Sequence, residues 1–311
     1  ISSVDFAIPR DFVEEDRGTL VAAQRFNEGI KDYKLTIEQE GTTYEDLGWF
    51  LQTAASGSTA ATTINTTGKR YSFAPQTTAG GDNLQAATIE FGDDTQEFES
   101  EYCEVTDWTL EFDTLRVGDA TPVKTSYNYL TQSLASNTKT AALTLPTVET
   151  ILANRANWFD GSTSTAFGSL AEVTGSLRSF SLKWDNQLAR KAFVGDAEQT
   201  FSLIGRGRRI VTFEAMIEGD ATGVGYFPRW DLGTERRSRL RFQGSIITGS
   251  SPATTKKLTL DFRYVLTGFE PVGEIDTNTV FKIMGRLLPD STLTNSAEIN
   301  IELVNDIASY T

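Results

Sequence analysis

Carboxylates dominate the residues of this chain that could do chemistry. The run "GDDTQEFESEYCE" places Asp93, Asp94, Glu97, Glu99, Glu101 and Glu104 within thirteen residues, and "VEEDR" groups Glu14, Glu15 and Asp16. Paired acids can bind calcium or share the acid and base work of glycoside hydrolysis. Neither run has the spacing of a calcium loop, and acids on a strand or turn ordinarily make surface charge. The 311 residues include no histidine. That removes the usual base near neutral pH, the commonest metal ligand and any Ser-His or Cys-His dyad. The single cysteine, Cys103, allows no internal disulfide and no all-cysteine zinc site, and reads as a small buried apolar residue. "IGRGRR" lacks the Lys-Ser/Thr of a phosphate-binding loop and links strands instead of opening a helix. We therefore expect no enzyme, no cofactor and no metal.

The net charge is -14, and it is concentrated at one end of the chain. Up to Thr150 there are 24 acidic and 10 basic residues; after it there are 18 of each. A balance this acidic does not suit a protein that grips nucleic acid through phosphates. Positive charge gathers at Arg206, Arg208 and Arg209, and again at Arg236 and Arg237. Opposite surfaces steer and register partners. The expected inter-subunit charge contacts are thus Asp93, Asp94, Glu97, Glu99 and Glu101 against Arg206, Arg208, Arg209, Arg236 and Arg237. No apolar run approaches the ~20 residues of a membrane span, and no segment reads as a signal peptide. The chain opens on Ile1, which suggests that a short leading piece was processed or trimmed.

The elements that would position these groups are mostly strands. "KDYKLTIEQE" (Lys31–Glu40) alternates like a half-buried strand, and "TTYEDLGWFLQTA" reads as a short helix capped by Thr43. Residues 56–83, rich in Ser, Thr, Gly and Ala, read as an exposed loop or hairpin that orders mainly against a partner. From Gln85 the alternation is that of strands broken at Gly92-Asp93 and Gly118-Asp119. "LPTVETILANRANWFDG" has Val148, Ile151, Leu152 and Phe159 at helical spacing between Pro146 and Gly161, which predicts a linker helix. Further strands follow to "SAEINIELVN", where Ala297, Ile299, Ile301 and Leu303 share a face. The fold expected is mainly β: two related antiparallel barrel or sandwich domains, residues 1–145 and 146–311, with one or two short helices.

Relatedness is suggested by a repeat. "VTDWTLEFD" from Val105 aligns with "LRSFSLKWD" from Leu177, setting Trp108 on Phe180, Leu110 on Leu182 and Phe112 on Trp184. Downstream, "VKTSYNYL" (Val123–Leu130) resembles "IVTFEAMI" (Ile210–Ile217). A duplicated unit lets n chains present 2n similar surfaces about one axis.

Together with "EEDRGTL…YEDLGWFLQTAAS" and "SRLRFQGSIITGSSPATTKKLTLDFRYVLTGFEP", these stretches resemble the tail tube (major tail) proteins of long-tailed bacteriophages, from about Thr43 to Pro271. The resemblance implies a barrel or sandwich unit of tail-tube type with a flanking helix. It also implies homo-oligomeric rings, a pseudo-sixfold trimer favoured over a hexamer, that stack into a hollow tube in the virion. The partners would be other copies, other tail proteins, and DNA passing through without tight binding. The alternative is a β-sandwich module binding carbohydrate or a receptor through the small-residue loop and aromatics such as Trp230. A carboxylate glycoside hydrolase is the third reading.

Overall fold

The computed structural model describes residues 3–8, 10–14, 23–55, 61–77, 84–93, 95–113, 120–137, 140, 146–194, 203–275 and 278–310. Its first elements are strands β1 (Ser3–Ala7), β2 (Arg10–Glu14), β3 (Ala23–Glu28) and β4 (Asp32–Gln39), then helix α1 (Leu47–Ala55). Strands β5 (Thr62–Thr63), β6 (Lys69–Phe73), β7 (Ala87–Gly92), β8 (Glu97–Phe112), β9 (Lys124–Thr131) and β10 (Ser133–Asn137) follow. Next come β11 (Ala156–Ser162), β12 (Ala171–Glu172), β13 (Leu177–Asp185), β14 (Leu188–Lys191), β15 (Leu203–Arg206) and β16 (Ile210–Glu218). Helices α2 (Ala221–Val224) and α3 (Tyr226–Asp231) precede β17 (Arg236–Ile246), β18 (Thr255–Ile275), β19 (Asn278–Leu288) and β20 (Ile299–Asn305).

The protein is mainly β, with short helices and antiparallel pairing throughout. Among the described residues sixteen strands form one sheet, whose main path runs β1-β4-β9-β8-β13-β16-β19-β18-β17-β11-β12. The two strands of the repeat are neighbours. Trp108 lies opposite Trp184, Leu110 opposite Leu182, and Phe112 opposite Phe180. A half-turn about the Leu110–Leu182 pair therefore exchanges the aromatics that the sequence alignment matched. It also relates β9 to β16: Leu110 faces Thr125 and Leu182 faces Phe213. The matching residue of Val123 is then Val211, one position later than the sequence alignment placed it. A one-residue slip turns every side chain to the other face, so the buried Val123, Tyr127 and Val211, Ala215 fix the correct register.

Strand β18 turns a corner between two layers. Its first half pairs with β17 and β20, its second half with β19. Side chains from β11 and β17 meet the first layer across the core: Phe242 lies 6.0 Å from Phe112, and Trp158 lies 6.2 Å from Phe180. Indole stacking of Trp108 on Trp184 (5.6 Å) centres the cluster. Ala297, Ile299, Ile301 and Leu303 are all buried, as their alternation requires. Helix α1 forms where expected. Thr43 Oγ1 accepts the Asp46 N–H (3.1 Å), and Phe50 stacks on Tyr127. Gly48 is needed because a Cβ there would come within 2.1 Å of the Tyr310 ring.

Asn186, just past β13, ties the two strands of the repeat to α1. Its amide donates to Ala54 O (3.0 Å) and Val105 O (2.9 Å), and its Oδ1 accepts the Trp184 indole N–H (2.8 Å). Replacing it with Ala leaves three buried groups unpaired. An unfolding free energy lower by about 2–3 kcal/mol is expected in urea titration; a loss below about 0.5 kcal/mol would contradict the role.

Two expectations are corrected. The stretch from Pro146 to Gly161 is not a helix: it runs extended to Leu152, makes a single 3₁₀ turn at Ala153–Arg155 and becomes β11. Its backbone is drawn into long-range bonds, Ile151 N–H to Thr42 O and Val123 N–H to Ile151 O, both 2.8 Å. Trp158 and Asp160 then alternate inward. Within residues 56–83, β6 orders against β20 of the same chain, with Tyr71 and Phe73 fully buried. Residues 56–60 and 78–83 lie outside the described residues.

Candidate assembly surfaces

The acidic run forms a flap. Strand β8 outruns the core, and its leading half pairs with β7 on one side and β10 on the other. Asp93 holds the β7–β8 turn. Its Oδ1 accepts the Gln96 and Thr95 N–H groups (2.9 and 2.8 Å), and these bonds hold its carboxyl below the usual range. Glu99 accepts from Asn137, Glu101 accepts the Ser133 hydroxyl (3.1 Å), and Glu97 is half-buried in the same strand. Asp94, Glu15 and Asp16 lie outside the described residues. Residues 84–93, 95–103 and 133–137 contain no Lys or Arg, so the flap is wholly acidic.

The arginines divide into two groups. Arg206 donates to Glu104 (3.3 Å); burial pushes the Glu104 carboxyl up against the pull of that guanidinium. Arg208 is exposed, and with Arg286 it lines an open cleft of about 700 Å³ floored by Val211 and Leu287. Arg209, Arg236 and Arg237 each have an acidic partner within the chain. Arg209 pairs with Glu298 (2.7 Å) over the Trp184 ring, Arg236 with Asp160 (2.8 Å), and Arg237 with Asp290 (2.6 Å). Burial works against the Asp290 carboxylate, yet donors from Arg237 and Thr292 hold it below the usual range. The flap and Arg206–Arg209 also lie at the same end of the sheet, since Asp107, Asp185 and Ile210 stand in one row.

Sequence reasoning missed the cluster around Asp160. This nearly buried carboxylate accepts Arg229 Nη1 (2.7 Å) and Arg236 Nη2 (2.8 Å) on one oxygen and the Tyr264 hydroxyl (3.0 Å) on the other. The cluster fastens α3 to β11, β17 and β18. The local signals were present in the chain: Asp220 caps α2 by accepting the Gly223 N–H (2.8 Å), and Pro228 sits in the first turn of α3.

The sheet has two open ends. Strand β1 pairs with β4 on one side only. Beyond Tyr264, β18 pairs with β19 on one side, and its other side has no strand neighbour among the described residues. From β1 to this part of β18 the path holds eight strands, four on each side of the boundary between β8 and β13.

These features define a mainly-β protein with a continuous antiparallel sheet and unfinished edges. No protein-family model and no curated protein matches the chain. Among solved structures, the tail tube of phage SPP1, determined by solid-state NMR and cryo-EM, is similar at TM-score 0.32 and 10% identity. The match covers 51% of this chain and 81% of that one. So remote a likeness carries no argument on fold or role.

Proposed function

We propose that this chain is a structural virion protein whose copies join edge to edge into rings, and that the rings stack into the tail tube of a long-tailed bacteriophage. The observation that carries the reading is the eight-strand run with both ends open. Its pairing is antiparallel at every step, so the last strand runs opposite to the first. A second copy's β1 can therefore continue β18 antiparallel, and the operation can repeat until it closes. Unpaired edges otherwise template uncontrolled association, and a closed barrel removes them. The half-turn between β8 and β13 supports reading the two halves as copies of one unit, split near residue 145. A trimer would then present six similar sheet segments. The acidic flap and the low overall positive charge suit a conduit that DNA crosses without adhering.

Size-exclusion chromatography with light scattering tests the reading. The purified protein is expected to elute as a closed ring of at least about three chains, with longer stacks at higher concentration. A monomer at every concentration would refute it.

A further inference from the structure

We infer that the apolar surface beside the open edge of β18 receives the residues flanking β1 of a second copy. This rests on the edge-joining reading and specifies its contact.

The surface is compact. Val224, Phe227, Trp230 and Leu232 fall within nine residues of chain and are 54%, 49%, 36% and 77% exposed. Single exposed apolar residues are ordinary; a contiguous group marks a contact site. Here the contiguity is physical. Trp230 lies 5.8 Å from Phe227, Phe227 lies 5.7 Å from Phe269 of β18, and Phe269 stacks on Phe281 at 4.8 Å. Val272 of β18 is exposed as well.

The position of the patch identifies what covers it. Gly219 leaves β16 bonded to Thr279 O, and Arg236 enters β17 opposite Tyr264. The chain between them packs on the part of β18 that lacks a second strand, where Phe227 meets Phe269. Arg229 on Asp160 and the buried Tyr226 hold α3 there in a fixed pose. Among the described residues no backbone hydrogen bond joins residues 221–235 to residues 265–275. The patch borders the edge without using up its donors and acceptors.

The opposite edge of the same sheet is bordered in the same way. Ile8, directly after β1, and Ile30, just before β4, are 39% and 48% exposed, and Phe12 of β2 is exposed as well. The β2–β3 hairpin pairs with no other strand among the described residues, and a two-stranded hairpin alone is marginal in water. A head-to-tail joint that sets β1 of one copy against β18 of another brings these two apolar borders together. It gives the hairpin a surface to lie on. The occupant is therefore another copy of this chain.

Two variants of the full chain test this. Phe227→Asp with Trp230→Asp is expected to raise the concentration for half-assembly on the order of 100-fold, with the β circular-dichroism signal of the folded chain retained. Ile8→Cys with Leu232→Cys, gently oxidised, is expected to give a ladder of covalent oligomers on a non-reducing gel, whereas each single variant stops at dimer or monomer. The cysteine pair decides the matter should the aspartates unfold the protein. Normal assembly by the aspartate variant, with no ladder from the cysteine pair, overturns this contact and leaves the edge-joining reading standing. A wild-type chain that never assembles removes both. Binding of a saccharide at Trp230 by a protein that stays monomeric would likewise overturn it.

Discussion

Asp160→Ala is expected to lower the unfolding free energy by about 3–5 kcal/mol, the largest loss of any single side chain outside the apolar core. The reason is what the substitution leaves behind. The Asp160 side chain is 3% exposed, and it is the acceptor for Arg229, Arg236 and the buried Tyr264 hydroxyl. Removing it strands two guanidinium groups and a phenol where water reaches them poorly. Burial, with the nearby acid, places the Tyr264 hydroxyl well above its usual pKa, so it stays protonated and donates to Asp160. Asp160→Asn, which retains an acceptor oxygen, should cost clearly less. Because Arg229 belongs to α3, hydrogen exchange over residues 221–231 should accelerate more than exchange over β13. A loss below about 1 kcal/mol would mean that the cluster is decoration.

Deleting residues 1–7 is expected to leave a folded protein that no longer assembles. Strand β1 contributes five residues at the rim of the sheet and pairs only with β4, which keeps β9 on its other side. To the core around Trp108 and Trp184 it contributes the partly buried Val4. The joint between copies depends on it, because β1 is the strand that would continue β18. Light scattering should report a particle mass about threefold lower, while circular dichroism retains the β signal. Tubes of normal length from the truncated chain would show that the joint lies elsewhere.

Much of the layer containing β8 and β13 was legible in the sequence, because alternation of period two in "DWTLEF" and "SFSLKW" encodes which face is buried. The adjacency of the two strands was not, since the pairing spans about seventy residues of chain and no local pattern records it. The same limit explains the missed region at Pro146–Gly161. Val148, Ile151, Leu152 and Phe159 do fall at helical spacing, but Thr42 and Val123 supply hydrogen bonds that only the folded chain brings within reach. Tertiary pairing overrides local propensity in such cases.

Charge was legible as composition, but its pairing was not. On the flap Asp93 and Glu101 are exposed, whereas Glu97 and Glu99 are half-buried. Arg209, Arg236 and Arg237 looked equally free, yet each has an acid waiting 53 to 89 residues away in the chain. A run of arginines on a strand says nothing of which faces inward until register is known. The α2–α3 patch went unread because it belongs to a connection between strands, and its apolar residues have no period to reveal them.

Electron microscopy of the purified protein, with averaging of end-on views, tests most directly whether copies of this chain complete one another's sheet edges. Rings of threefold symmetry whose wall contains six similar sheet segments are predicted. Isolated single chains across all concentrations, or assemblies in which β1 and the far half of β18 both face solvent, would contradict it.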